Sequence, residues 1–142
     1  MNQNFIFFPC FGLLILSAIV LLRMFSSRVN AVKKGEVNVL FFKTYDMLES
    51  GPVLMRQASR NFTNLFEVPT LFYMICAFAL ITQNVDELMY GAAWLYVALR
   101  CIHTVIHVTT NKIFQRMSVY AISWLVLLFM GVLLAVRILK AA

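Results

Sequence analysis

Four long apolar segments, separated by polar stretches, constrain this chain more than any other feature. They cover residues 5–22, 53–81, 88–108 and 117–136. Each is close to the ~20 residues that an α-helix needs to cross the hydrocarbon core of a bilayer. Only 13% of the residues are charged, about half the share that is usual in a soluble domain. We therefore predict an all-α integral membrane protein, in which residues 1–142 form a single domain built as a bundle of four transmembrane helices.

The stretches between the segments indicate where the helices begin. Residues 23–51 are interpreted as a polar connection, and Gly51-Pro52 marks the start of the second helix, since proline is favoured in the first turn.

Cys10, Cys76 and Cys101 all lie in apolar segments without a C-x-x-C pair. The cysteine spacing therefore indicates neither a disulfide framework nor a thiol-redox pair.

The basic residues predict the orientation of the chain. The first connection and the start of the second helix carry Arg23, Arg28, Lys33, Lys34, Lys43, Arg56 and Arg60. The third connection carries Lys112 and Arg116, and the second carries no Lys or Arg. By the positive-inside rule, both termini lie outside, in the inner (cytoplasmic) membrane if the source is bacterial. The net charge of +6 is thus explained by topology, and no nucleic-acid partner is expected.

Two ionisable residues lie deep within predicted membrane helices, Glu67 and Arg100. A charged side chain at the centre of such a helix costs about 2.5–3.5 kcal/mol on insertion scales, so each needs a partner or a function. Helical rise places the two at nearly the same depth. Glu67 lies ~10 Å inward from Arg60, and Arg100 lies ~10 Å inward from His107. We therefore expect an ion pair between them.

Further polar residues share faces with these two at the helical period of ~100° per residue. The second helix carries Arg56, Arg60, Asn64 and Glu67 on one stripe. The third carries Tyr96, Arg100, His103, Thr104, His107 and Asn111, and the fourth carries Arg116, Tyr120 and Ser123. We predict that these stripes line a polar cavity that opens to the cytoplasm.

The pattern Arg60-x-x-x-Asn64-x-x-Glu67, with Arg100-x-x-His103-Thr104 and Arg116 on the next two helices, resembles the MAPEG family. These are the membrane-associated proteins of eicosanoid and glutathione metabolism. The resemblance covers about the whole chain and is closest to the branch of prostaglandin E synthase and microsomal glutathione transferase. It implies a homotrimer with three glutathione sites between neighbouring subunits, each facing the cytoplasm.

The resemblance also implies roles for single residues. Arg60, Asn64 and Glu67 would contact glutathione from the second helix, and Arg100 matches the arginine of the third. Arg116 matches the arginine that activates the thiol and is the predicted catalytic residue. His107 takes a position where family enzymes commonly have a tyrosine, and Met117 and Pro69 also depart from the family pattern. The predicted cofactor-binding residues are Arg60, Asn64, Glu67, Arg100, His103, His107 and Tyr120.

Two functional interpretations follow. The first is a membrane-bound glutathione transferase or peroxidase, whose thiolate attacks lipophilic electrophiles or hydroperoxides. The second is a non-catalytic scaffold or accessory subunit that binds a lipid or a partner membrane protein. Either form would contact membrane lipids.

His103 and His107 have the i, i+4 spacing of metal ligands, but no carboxylate or cysteine completes a site on that helix, so no metal is expected. A proton-coupled exporter is disfavoured, because Arg100 would keep Glu67 ionised.

Overall fold

The computed structural model describes residues 1–43 and 50–141, with the side chains of residues 1–43 and 50–140. Four α-helices make up most of the chain: α1 (Phe7–Lys33), α2 (Val53–Ile81), α3 (Glu87–Val108) and α4 (Ile113–Ala141). Short 3₁₀ helices, Gln3–Ile6 and Val39–Lys43, precede α1 and α2. The described residues contain no strand. All four α-helices are long and apolar enough to cross a membrane, which confirms the predicted all-helical, membrane-spanning architecture.

Helix α1 runs farther than its apolar segment. The polar connection expected from Arg23 onward is helical as far as Lys33, because nothing between them breaks a helix. The helix ends where Gly35 takes a positive φ of 68°, a conformation that costs glycine little. There the amide of Glu36 donates to the carbonyl of Ala31 at 3.0 Å, as is typical of a left-handed helix terminus. Polarity therefore marks where α1 leaves the apolar layer and does not mark where the helix ends.

Short turns join α2 to α3 and α3 to α4, and they place these consecutive helices antiparallel. Asp86 caps α3 by accepting a hydrogen bond from the amide of Met89 at 2.9 Å. The turns before and after α3 contain Gln83 (φ 57°) and Asn111 (φ 47°), both in the left-handed region, which asparagine tolerates better than most residues. The amide of Asn111 donates to the carbonyl of Ile106 at 2.8 Å and closes the end of α3.

Hydrogen bonds at the two ends of the bundle fix this arrangement. At the end that holds both termini, here called the terminal end, the side-chain amide of Gln3 bonds to both backbone groups of Val85, at 2.9 and 2.8 Å. Arg137 donates there to Asp86 at 2.9 Å. At the opposite end, called the loop end, Arg23 donates to the carbonyl of Val108 at 3.1 Å.

The core lies between the helices, and apolar side chains also cover the outside. Phe72 of α2 stacks on Tyr96 of α3 with ring centroids 4.6 Å apart, and both side chains are fully buried. Large side chains such as Phe114 and Leu22 are exposed, as expected where lipid replaces water around a helix bundle. Helix α3 is the most buried of the four, so polar residues on its inner face are enclosed by protein.

Helix α2 contains a proline near its centre, Pro69. Proline has no N–H to donate within a helix, so the carbonyl of Leu65 receives no intrahelical bond from it. Because α2 continues to Ile81, the interruption is local. It lies two residues beyond Glu67.

Candidate functional site

A polar face of α3 is buried inside the bundle. Arg100, His103 and His107 are spaced three and four residues apart, which places them on one side of the helix. Their exposed fractions are only 1%, 3% and 2%. Charged and polar side chains are rarely buried to this extent unless they are paired. The partners of these three side chains therefore indicate what this face does.

The guanidinium of Arg100 lies between α2 and α4. Its Nη2 donates to the backbone carbonyl of Asn64 at 2.6 Å, and its Cζ lies 5.6 Å from the ring centroid of Tyr120. Among the described residues, its Nε and Nη1 atoms have no hydrogen-bond partner. An unsatisfied buried donor costs about 1–3 kcal/mol, so Arg100 retains binding capacity that the fold does not use.

The two histidines extend this cluster towards the loop end. The ring of His103 lies 5.6 Å from that of Tyr120 and 5.9 Å from that of His107, measured between centroids. Both ring nitrogens of His103 and the Nδ1 of His107 lack a hydrogen-bond partner in the part of the chain that the structure describes. Arg100, His103, His107 and Tyr120 are therefore brought together, as the polar stripes predict. We call these four residues the buried polar cluster.

Arg116 lies beside this cluster at the start of α4. Its Nη1 donates to the Oδ1 of Asn111 at 2.8 Å, so the turn between α3 and α4 orients the guanidinium. Arg116 and Arg60 both lie within electrostatic range of His107. The loop end of the bundle thus gathers cationic groups from α2 and α4.

The polar residues of α2 differ in their exposure. Arg60 and Glu67 are exposed on the outside of the bundle, and Asn64 is half-buried. The expected ion pair between Glu67 and Arg100 is wrong: within residues 1–43 and 50–140, no contact of ion-pair length joins them, although Glu67 acts on Arg100 through space. The guanidinium reaches the carbonyl of Asn64 instead, because Glu67 is turned outward. We call Arg60, Asn64 and Glu67 the ionic face of α2.

Asn61 is a buried polar residue that the sequence did not single out as part of a site. It is 1% exposed, and its Oδ1 accepts a hydrogen bond from the Thr104 hydroxyl at 3.5 Å. This contact joins α2 to α3 one turn from the Arg100–Asn64 bond. The position of Asn61, three residues before Asn64, is the signal that could have revealed it.

Across the described residues, no three His, Cys, Asp or Glu side chains are grouped as metal ligands.

The charge of Asp86 at the terminal end is stabilised by a neighbouring helix. The hydrogen bond from Arg137 holds the pKa of this carboxyl below its usual range. The pair lies at the end of the bundle opposite Arg116, so it stabilises the fold without contributing to the buried polar cluster.

Comparison with known families identifies the chain. The sequence profile of the MAPEG family matches residues 6–136, a range that includes α1, α2, α3, most of α4 and every residue of the cluster. The chain belongs to the MAPEG family. No curated protein and no solved structure matches it. Membership of the MAPEG family associates the fold with glutathione or eicosanoid metabolism and with an integral membrane location.

Proposed function

We propose that the protein is a glutathione-dependent membrane enzyme, a transferase or peroxidase that acts as a homotrimer on lipophilic electrophiles or hydroperoxides. One observation carries this proposal: the exposed ionic face of α2 lies next to a buried polar cluster with unused hydrogen-bond donors. The catalytic residue is Arg116. The cofactor-binding residues are Arg60, Asn64, Glu67, Arg100, His103, His107 and Tyr120.

The position of Glu67 supports an oligomer. Glu67 is the middle residue of the 29-residue helix α2, and its side chain is exposed. A lipid-facing carboxylate at that depth is costly and rare, because such groups normally face protein or water. A second copy of the chain that packs against the ionic face would shield Glu67 from lipid. The trimer typical of the MAPEG family supplies such a neighbour.

The charges of the proposed site suit glutathione. Arg60, Arg100 and Arg116 contribute three positive charges, and Glu67 contributes one negative charge. The site therefore carries a net charge of about +2 when its histidines are neutral. With its thiol ionised, glutathione has three negative groups and one ammonium, which gives −2. Arginine binds carboxylate through two parallel hydrogen bonds, and Glu67 is placed to accept from the ammonium.

The chemistry rests on stabilisation of negative charge at the sulfur. When bound, glutathione supplies a thiol nucleophile. Lowering a thiol pKa from ~8.5 to ~7 requires about 2 kcal/mol. A guanidinium ~4 Å away, at an effective dielectric constant of ~20, provides about 4 kcal/mol. Arg116, oriented by Asn111, is therefore sufficient, and the bilayer concentrates the apolar substrate next to it.

The distribution of basic residues supports a cytoplasmic orientation. The loop end carries the Lys- and Arg-rich first connection and Arg116, whereas the terminal end has only Arg137 and Lys140. By the positive-inside rule, the loop end faces the cytoplasm and both termini face outward. The proposed site then opens to the compartment in which glutathione is abundant.

Titration of the purified protein in detergent with glutathione tests this function. We expect calorimetric binding in the micromolar to millimolar range and an ultraviolet absorbance of bound thiolate. Arg116→Gln should abolish the thiolate signal while the trimer persists. Lys112→Gln is the matched control, because it removes the same charge from an exposed position one turn away and should leave the signal intact. Absence of glutathione binding by the wild-type chain would refute the proposal.

The alternative is a non-catalytic scaffold or accessory subunit. It is favoured by Met117, which follows Arg116 with an exposed apolar side chain and offers no hydroxyl to the site. On this interpretation, the polar groups serve assembly with a lipid or a partner membrane protein. A stable oligomer that binds no thiol ligand, with Glu67→Gln dissociating it, would identify this function.

A further inference from the structure

A polar cavity of about 490 Å³ lies at the loop end of the bundle. Residues of α1 form one wall, the first residues of α2 form another, and Val108 of α3 also contributes. The buried residues of its lining are Ala31, Met55 and Ala58. Because two of these three side chains are single methyl groups, the helices meet here without filling the space between them.

The polar side chains on the walls keep hydrogen-bonding capacity that the fold does not use. Among the described residues, Arg23 donates only through its Nη2 atom, to the carbonyl of Val108 at 3.1 Å. Within the same part of the chain, no hydrogen bond or ion pair involves the side chain of Lys34. The same holds for three neutral side chains of the lining: Ser26, Asn30 and Gln57. The walls therefore offer donors from both helices to a bound group.

The charges around the cavity favour an anion. Arg23 and Lys34 contribute two cationic groups, and Glu36 is the only acidic side chain among the described lining residues. The start of α2 adds to this potential, because residues 53–55 line the cavity and their amides precede the first intrahelical hydrogen bond. Amides at a helix start carry partial positive charge and bind phosphate readily, and basic side chains bind phosphate through charge-assisted hydrogen bonds.

The height of the cavity matches the headgroup layer of a bilayer. Arg23 directly follows the first apolar segment, so it lies where the hydrocarbon layer ends. Lys34 lies ~17 Å further along α1, whereas the headgroup layer is only ~5–8 Å deep, so the lining between them covers this layer. Val53 and Leu54, which also line the cavity, are exposed apolar side chains that suit contact with acyl chains.

We propose that this cavity binds the phosphate headgroup of an anionic phospholipid from the leaflet at the loop end, one lipid to each chain. The phosphate accepts hydrogen bonds from Arg23 and from the first amides of α2, and the outer part of the headgroup extends towards Lys34. A soluble phosphate ester offers the same charge but has no acyl chains to contact Val53 and Leu54. Basic pockets between membrane helices are typical sites for such headgroups.

The lipid site is separate from the proposed glutathione site. None of its described lining residues belongs to α4, the helix that carries Arg116 and Tyr120. On α3, Val108 is rotated ~100° from His107 about the helix axis, so the cavity and the buried polar cluster use different sides of that helix. The inference therefore needs neither glutathione binding nor catalysis.

Native mass spectrometry of the full chain tests the lipid site, with the protein released from nanodiscs of phosphatidylcholine and a minor fraction of phosphatidylglycerol. We expect each chain to retain one phosphatidylglycerol and to lose phosphatidylcholine. Lys34→Gln should weaken retention about 5-fold, as expected for one basic residue beside a lipid phosphate. Glu36→Gln should strengthen retention by a similar factor, since it removes the negative charge of the lining. Lys33→Gln is the matched control, because it removes the same charge from a neighbouring position outside the lining and should leave retention unchanged.

Competition identifies the ligand. Inorganic phosphate and glycerol phosphate should displace the lipid only weakly, because they lack acyl chains, and glutathione should not displace it. Arg116→Gln should retain the lipid as the wild type does, so a failure of the glutathione proposal is distinguishable from a failure of this one. Equal retention of the two lipids, equal effects of Lys33→Gln and Lys34→Gln, inorganic phosphate binding as tightly as the lipid, or displacement by glutathione would each overturn the inference.

Discussion

Replacement of Arg100 by methionine separates binding from folding in the buried polar cluster. The wild-type side chain makes one charge-assisted hydrogen bond, to the carbonyl of Asn64 at 2.6 Å, worth about 1.5–3 kcal/mol. Its cation–π contact with Tyr120 adds about 2 kcal/mol in a desolvated site. Arg100→Met thus removes roughly 3.5–5 kcal/mol of favourable interaction.

The same substitution removes an opposing cost. Nε and Nη1 of Arg100 are buried, and neither finds an acceptor among the described residues, which costs about 2–6 kcal/mol for the two donors. Burial of an ion carries a further penalty, and well-packed apolar replacements of buried ions are often neutral or stabilising. We therefore expect the free energy of unfolding of Arg100→Met to stay close to that of the wild type.

Glutathione affinity should respond differently. Loss of one charge-assisted hydrogen bond to a ligand carboxylate weakens binding by about 10- to 100-fold. Thermal unfolding in detergent and calorimetric titration measure the two effects on the same preparation. A large loss of stability with unchanged affinity would refute this reasoning, because Arg100 would then be a structural side chain.

Arg137→Met is the matched control for this experiment. Arg137 is less deeply buried than Arg100, and its guanidinium bonds to Asp86 and to the carbonyl of Asn84. Its replacement should reduce stability and leave glutathione affinity unchanged. Opposite responses of the two arginines would show that Arg100 serves ligand binding and Arg137 serves the fold.

Three further predictions address other contacts. Asp86→Asn keeps an N-cap residue on α3 but loses the pair with Arg137. It should lower the free energy of unfolding by about 0.5–1 kcal/mol at neutral pH, as for exposed ion pairs. Because Arg137 lowers the pKa of Asp86, this stabilisation is complete above the ordinary aspartate pKa and disappears as the pH falls through the lowered value. Thermal scans of wild type and variant should therefore converge in acid; a constant difference would contradict the assignment. Glu67→Gln should reduce the mass of the assembly measured by light scattering, and an unchanged oligomer would exclude Glu67 from the interface. Asn111→Gly keeps the positive φ available but removes the hydrogen bond to Arg116. The thiolate absorbance should therefore fall, while the free energy of unfolding changes little. Full thiolate absorbance would show that Arg116 does not need to be oriented by Asn111.

The main features of the fold could be predicted from apolar length and start signals. The proline at position 52 lies where α2 begins, as the sequence indicates, whereas the cap of α3 by Asp86 was not predicted. The continuation of α1 from Arg23 to Lys33 could not be predicted from hydropathy, because polar residues form helices as readily outside a membrane as apolar residues do within it. Hydropathy reports the surroundings of a helix, whereas its ends depend on residues such as Gly35.

The candidate site was predictable in its composition but not in its contacts. Helical periodicity places Arg100, His103 and His107 on one face, and the structure shows that face buried. Periodicity and rise did not fix the rotation of α2 about its axis, so the expected pair between Glu67 and Arg100 was wrong.

The proline within α2 makes the shape of this helix responsive to the surrounding bilayer. At ~1.5 Å per residue, a helix of this length extends ~44 Å, whereas the hydrocarbon layer is ~30 Å thick. The first two turns of α2 carry Arg56 and Arg60 and extend beyond this layer, so that about 20 residues remain within it, close to the length that a spanning helix needs. A bend in this remaining part costs least at the missing backbone bond. A response of α2 to membrane thickness would therefore centre on Pro69, two residues from Glu67 and the ionic face.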